Sequence, residues 1–337
     1  MGLKEFVVRR IFTGFITLLI VIAANFVLFR LPALITGVDP AVLYGLQRAM
    51  NDPNIPKELI DEYRERWGIP APNSPISVWI RHFQKYFWNM LTFNFGRTFT
   101  LQRPVLEEFV HRLPITLLMI GIATILSILI GIWLGVRIGS KPGSKLDVSM
   151  MTFGIALYAL PSFWVGLLFY QIFISQYRIF QTGFAGTESY YADPLLMFMY
   201  TLYILAPPII VLIIVTFGGW MLLMRNSLVD VMSEDFIITA RAKGLDERTI
   251  LYKHAFRNAL LPVVTSVALA IAGIWTGSIV AEYIFQIRGM GQLFIWAYDH
   301  QEYALLEMLF YFVALTTILA NIVADISYAL LDPRVRY

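Results

Sequence analysis

The sequence predicts an all-α polytopic membrane protein with six transmembrane helices and both termini in the cytoplasm. Three observations carry that expectation. Hydrophobic residues make up 58% of the 337 and charged residues only 15%, and the mean hydropathy is +0.66. The charges are also unevenly placed. Six stretches contain none, at 11–29, 113–136, 148–177, 194–224, 258–281 and 308–324, together 145 residues. Each is near or beyond the ~20 apolar residues with which a helix crosses the hydrocarbon core. Finally, with the N-terminus inside, the cytoplasmic segments hold 14 basic residues and the two short outer loops hold only Arg178 and Arg288. That asymmetry is the one cytoplasmic loops show.

The first uncharged run, 19 residues flanked by Arg9-Arg10 and Arg30-Leu31-Pro32, is longer than a signal-peptide core and no A-x-A site follows it. It reads as an uncleaved span, and 1–30 is one unit of the chain. The segment 31–112 follows as an extracytoplasmic loop or small subdomain. Its first half is punctuated by Asp39-Pro40, Asn51-Asp52-Pro53-Asn54 and Ile69-Pro70-Ala71-Pro72-Asn73. Residues 56–67 read as a short amphipathic helix, and Trp79, Phe83, Phe87 and Trp88 as the aromatic row of an interfacial helix. The remainder, 113–337, is a five-helix core carrying a cytoplasmic loop at 225–257. Within it Pro161 breaks the over-long third run, Pro207-Pro208 sits inside the fourth, and Gly14, Gly135/Gly139 and Gly273/Gly277 allow close helix approach.

Several chemistries are excluded. The chain has no Cys, hence no disulfide, thiolate metal site or thiol redox couple. Its net charge of +3 follows from basic cytoplasmic loops and needs no nucleic acid. No Walker A motif occurs; Gly139-Ser140-Lys141-Pro142-Gly143-Ser144-Lys145 has the wrong spacing, so the chain is not expected to hydrolyse ATP itself. His82, His111, His254 and His300 are scattered, and neither H-E-x-x-H nor G-x-S-G is present. No catalytic, cofactor or metal site is expected. Glu282, Glu307 and Asp325 fall only at span ends, which weakens an ion-driven carrier reading. Asp325 is expected in an ion pair near the cytoplasmic face.

The informative segment is Ser233-Glu234-Asp235-Phe236-Ile237-Ile238-Thr239-Ala240-Arg241-Ala242-Lys243-Gly244-Leu245-Asp246-Glu247. Ser233 is expected to cap a helix with acidic residues in its first turn and Arg241 and Lys243 at its end. Gly244 is the expected left-handed residue after that helix, and Asp246 the cap of the next, which runs through Leu251, Ala255 and Asn258 into Leu261-Pro262. Two helices hinged at one glycine make a rigid elbow suited to another protein's groove.

The phrase Thr239-Ala240-Arg241-Ala242-Lys243-Gly244-Leu245, followed by Arg257-Asn258-Ala259-Leu260-Leu261-Pro262, resembles the "EAA" signature of binding-protein-dependent ABC transporter permeases. Ile238, Thr239 and Ala240 occupy the Glu-Ala-Ala positions. The T-A-R-A-K-G-L form resembles the dipeptide/oligopeptide branch. So do Arg103-Pro104-Val105-Leu106, Arg112-Leu113-Pro114-Ile115-Thr116-Leu117, Leu160-Pro161-Ser162-Phe163-Trp164, Glu282-Tyr283-Ile284-Phe285 with Gly289-Met290-Gly291-Gln292-Leu293, and the tail Asp332-Pro333-Arg334. The long first outer loop matches the first of that branch's two permease subunits.

The resemblance implies the fold of type I importer permeases and a place in the cell membrane. It further implies a second permease as heterodimer partner, two cytoplasmic ATPase subunits and an extracytoplasmic binding protein. It assigns ATPase contact to Ile238, Thr239, Ala240, Arg241, Ala242, Lys243, Gly244, Leu245 and Asp246. Peptides are the implied cargo, with oligosaccharides or nickel open within the branch. A secondary transporter or channel is the competing class.

Overall fold

The computed structural model describes residues 3–37, 42, 57–67, 69–98, 100, 102–183, 193–274 and 278–331. Of the sequence expectations, the stretches around Asp39-Pro40 and 51–54, Gly277 and the tail 332–337 lie outside these. Among the described residues the structure is helical, with one isolated antiparallel bridge between Arg97 and Pro104. In order the helices are α1 (Leu3–Phe29), α2 (Leu31–Thr36), α3 (Lys57–Trp67), α4 (Ile76–Leu91), α5 (Val105–Gly139), α6 (Lys145–Ala159), α7 (Ser162–Phe169), α8 (Pro194–Met232), α9 (Asp235–Ala242), α10 (Glu247–Thr249), α11 (Phe256–Gly273), α12 (Ile279–Ile284), α13 (Met290–Asp299) and α14 (Tyr303–Leu331). Wide π turns extend α7 through Tyr170–Gln176 and join α10 to α11 through Ile250–Ala255.

Among the described residues four helices are long and apolar enough to cross a membrane, within Glu5–Thr36, Val105–Gly139, Pro194–Met232 and Tyr303–Ile326. The pair α6–α7 makes a fifth if its two halves count as one span, for they meet at 92°. That bend falls where the sequence places it. Pro161 begins α7 and Leu160 before it is extended, with ψ 136°, because a proline ring disfavours the helical region for the residue before it. Pro207 and Pro208 behave differently: α8 runs through both, and both are buried. In the fifth uncharged run α11 accounts for 258–273 and α12 begins at Ile279.

The chain forms two compact units, one of 114–292 with the two chain ends, the other of 4–113 with 293–322. In the first, α8 is the central post. Gly135 packs against it so closely that a Cβ would stand 2.6 Å from the Met221 carbonyl oxygen, and Gly218 stands equally close to Gly154 of α6. One cluster of buried side chains joins Met119, Phe169, Leu205, Val211 and Phe285. A second joins Val136, Met224, Leu228, Ile237, Ala240, Ile250, Ala259 and Val263. On the outside Leu129, Trp133, Phe153 and Leu167 are exposed, as side chains facing hydrocarbon must be.

In the second unit, Asn25 donates to the Glu307 carbonyl at 2.8 Å, and Arg30 forms a two-point ion pair with the Glu307 carboxylate. The aromatic row of α4 divides between two faces. Trp79, Tyr86 and Met90 are buried and Phe83 meets Phe26 edge-on, whereas Ile76, Ile80 and Trp88 are exposed. The expectation of one surface-anchoring row is thus corrected. Positions 79, 83, 86 and 90 share one helix face, and Trp88 lies on the opposite one.

Candidate coupling elbow and the buried polar centres behind it

The elbow expected at 238–246 is built from α9, a tight corner and α10. Helix α9 ends in a six-to-one, five-to-two closure: the Leu245 amide donates to the Ala240 carbonyl (3.4 Å) and the Gly244 amide to the Arg241 carbonyl (2.9 Å). Gly244 takes φ +80°, the left-handed geometry this closure requires. The Asp246 carboxylate then accepts from the Thr249 amide at 3.0 Å, starting the second arm. Arg241 reaches over the corner and pairs with Glu247 at two points, 2.8 and 3.2 Å. Hydrogen bonding to Glu247 holds the Arg241 pKa above its ordinary value, and the same contact lowers that of Glu247. Bonding to Thr249 lowers that of Asp246.

One expectation is corrected here. Ser233 does not cap α9; it closes α8, its hydroxyl donating back to the Asp230 carbonyl at 2.6 Å, with φ −91° and ψ −4°. A residue in that helical geometry cannot also turn its side chain forward. Glu234 occupies the N-cap position of α9 without a side-chain bond.

The elbow has two apolar faces. Ile237, Ala240 and Ile250 are buried in the cluster on α8 and α11. Phe236 (42%), Ile238 (57%) and Leu245 (39%) point outward. Of the other named positions, Thr239, Arg241, Ala242, Lys243 and Asp246 are exposed. The inner face thus fastens the corner to the bundle and the outer face is left for something else.

Two buried centres were not anticipated. The Asp147 side chain, fully buried, takes two hydrogen bonds from Arg225 of α8 and a third from the Gly143 amide. Its own amide donates to Ser144 at 3.2 Å. The S-x-x-D spacing of Ser144 and Asp147 is a capping signal that gave a way to find it. Glu282 lies on α12, the short helix before α13. Its carboxylate accepts from Thr116 (2.7 Å) and from the amides of Gly291 (2.7 Å) and Gln292 (3.2 Å), while the Met290 amide donates to Thr116. The Glu282 carboxylate thus sits at the positive end of α13, where an anionic cap is favoured. The expected cytoplasmic ion pair of Asp325 would involve the tail, which lies outside the described residues.

A bent-span helical bundle with a fastened, outward-facing elbow defines a multi-pass membrane permease component. The chain belongs to the family of binding-protein-dependent transport system inner membrane components, whose model matches residues 105–337. It is therefore the permease subunit of an ABC importer, resident in the cell membrane. Among its relatives, the oligopeptide transport system permease protein AppB of Bacillus subtilis is 32% identical, over 99% of this chain and 100% of that protein. The di/tripeptide transport system permease protein DppB of Pseudomonas aeruginosa is 30% identical over 92% and 93%. The metal-staphylopine import system permease protein CntB of Staphylococcus aureus is 29% identical over 98% of each.

Proposed function

We propose that this chain is the pore-forming subunit of an importer for di- and oligopeptides, and that residues 238–246 transmit the energy of ATP hydrolysis to it. In this reading the chain catalyses no covalent step. Two cytoplasmic ATPase subunits hydrolyse ATP, a second, similar permease completes the pathway, and an extracytoplasmic binding protein delivers the peptide. Both termini and the elbow are cytoplasmic, six spans cross the bilayer, and 31–112 forms the outer loop that receives the binding protein or shapes the entrance.

The observation that carries this is the elbow's division of labour. Ile238 and Leu245 are exposed apolar residues on a corner whose opposite face, Ile237 and Ala240, is anchored in the bundle. An ATPase groove that closed on the outer face would move α8 and α11 with it, because close-packed contacts transmit displacement. Support for peptides comes from the relatives named for oligopeptide and di/tripeptide transport. The relative named for metal-staphylopine import favours a second cargo, a metal chelate carried by the same architecture.

Purification of the chain with its genomic neighbours tests the proposal. Two ATPase subunits should co-purify, and peptide-loaded binding protein should stimulate hydrolysis. Ile238→Asp should release the ATPases without loss of membrane insertion. Stimulation by a nickel chelate and not by peptides would move the cargo to the second reading, and full transport by Ile238→Asp would remove the elbow from coupling.

A further inference from the structure

Between the last three turns of α5 and the second arm of the elbow lies an open-sided groove of about 480 Å³. Leu129, Ile132 and Trp133 of α5 form one wall, Tyr252 of the π turn and Phe256 of α11 the other, and Arg137 and Ser140 close one end. The α5 residues fall at helical spacing, so the groove runs along the helix for about 16 Å. Its apolar rim is open: Leu129 is 58% exposed, Trp133 61% and Tyr252 55%.

We infer that this groove holds one acyl chain of an anionic phospholipid, with the phosphate seated on Arg137 and Lys141. Depth is the first argument. The uncharged run 113–136 spans about 36 Å as a helix, so Arg137 falls where hydrocarbon gives way to headgroups. Geometry is the second. The Arg137 guanidinium lies 5.6 Å above the Trp133 ring, an arrangement that keeps the stem against apolar surface and the charge at the interface.

Charge is the third argument. Arg137 and Lys141 are both exposed, and neither is in an ion pair among the described residues. Two unneutralised cations, Arg137 lining the end of the apolar groove and Lys141 four residues further along the chain, select a lipid with net negative charge over a zwitterionic one. The wide π turn contributes to the groove as well. It turns Tyr252 outward while Ile250 and Ala255, on its other face, enter the cluster that anchors the elbow. A chain seated on Tyr252 and Phe256 therefore braces the arm that the elbow moves. The binding itself stands apart from the coupling proposal; only its effect on ATP hydrolysis rests on that reading.

The whole importer, reconstituted in phosphatidylcholine nanodiscs with or without phosphatidylglycerol, provides the test. Phosphatidylglycerol should remain with the complex after mild detergent exchange and should raise substrate-stimulated hydrolysis several-fold. Arg137→Glu should lose both the retained lipid and the stimulation while keeping the phosphatidylcholine rate. Arg137→Lys should keep most of both, and Arg178→Glu, an equal change of charge elsewhere, should alter neither. Free glycerol phosphate should not displace the lipid, since it lacks the acyl chain. Equal lipid retention by Arg137→Glu overturns the site. So does a disulfide between Tyr252→Cys and a cysteine scanned along the partner permease, which would show the groove to be filled by a protein helix.

Discussion

Arg225 clamps Asp147 from 78 residues away, its Nε and Nη2 donating to the two carboxylate oxygens at 3.0 and 2.7 Å. The pair ties the first turn of α6 to α8 about two turns before α8 ends at Met232. With the Gly143 amide also bonded to Asp147, the N-terminal end of the bent span is fixed to the central post. Removing the acid leaves a guanidinium only 17% exposed without its counter-charge, at a cost of about 3 kcal/mol. Asp147→Ala should lower the melting temperature of the detergent-solubilised complex markedly. Arg225→Met with Asp147→Leu should recover much of it, because an apolar pair leaves no buried charge behind.

Gly244 offers a cleaner perturbation. A Cβ there meets nothing within 4 Å, so Gly244→Val adds only backbone strain at positive φ, about 1–2 kcal/mol. The bundle should insert and reach normal abundance, while transport and substrate-stimulated hydrolysis both fall strongly. Gly244→Asn, which tolerates the left-handed region, should retain most activity. Equal behaviour of the two variants in transport assays would show that the corner's geometry is immaterial.

Arg241→Glu should resemble Gly244→Val in effect but not in cause. It replaces the two-point pair with Glu247 by a repulsion across the corner and places an acid at the negative end of α9. Since both partners are exposed, folding should be nearly unchanged and the loss should appear in coupling. The exchange Arg241→Glu with Glu247→Arg should restore part of it in the same transport assay.

Around Glu282 the geometry leaves no room for change. A Cβ on Gly289 would overlap the Glu282 carboxylate and the Thr116 hydroxyl, and Glu282→Ala would strand the Gly291 and Gln292 amides. Each unpaired buried amide costs about 1–3 kcal/mol. Both Gly289→Ala and Glu282→Ala should reduce thermal stability, with Glu282→Gln intermediate. A melting temperature unchanged in all three would contradict the cradle.

The second unit has its own pH dependence. Burial, with Arg30 and Lys85 nearby, lowers the His82 pKa from 6.5 to about 4. An unfolded chain protonates His82 near pH 6.5 and the folded one only near 4, so the unfolded state takes up the extra proton between those values. Stability should fall as pH drops through that window, and His82→Phe should flatten this part of the profile in a pH series of thermal melts.

Much of this protein could be read in its sequence. The apolar runs in α1, α5, α8 and α14 are self-sufficient signals, because hydrocarbon demands a minimum apolar length whatever the neighbours are. Pro161 bends its span for a local reason, and Gly244 takes left-handed geometry because a six-to-one closure needs it. These depend on residues within a turn or two of one another. The same locality explains why Asp246 was legible as a cap and why Ser233, claimed by two helices at once, was not.

What only the tertiary structure decided are relationships across distance. Nothing near Asp147 announces Arg225, nothing near Glu282 announces Thr116, and the aromatic row of α4 gives no hint that Trp79 turns inward and Trp88 outward. Pro207 and Pro208 carry the same local signal as Pro161, yet they lie inside an unbroken helix, buried against their neighbours. The difference is physical. A span and a cap are fixed by solvent and by the chain's own backbone, whereas a buried charge, a helix face and a proline's consequence are fixed by whatever packs against them.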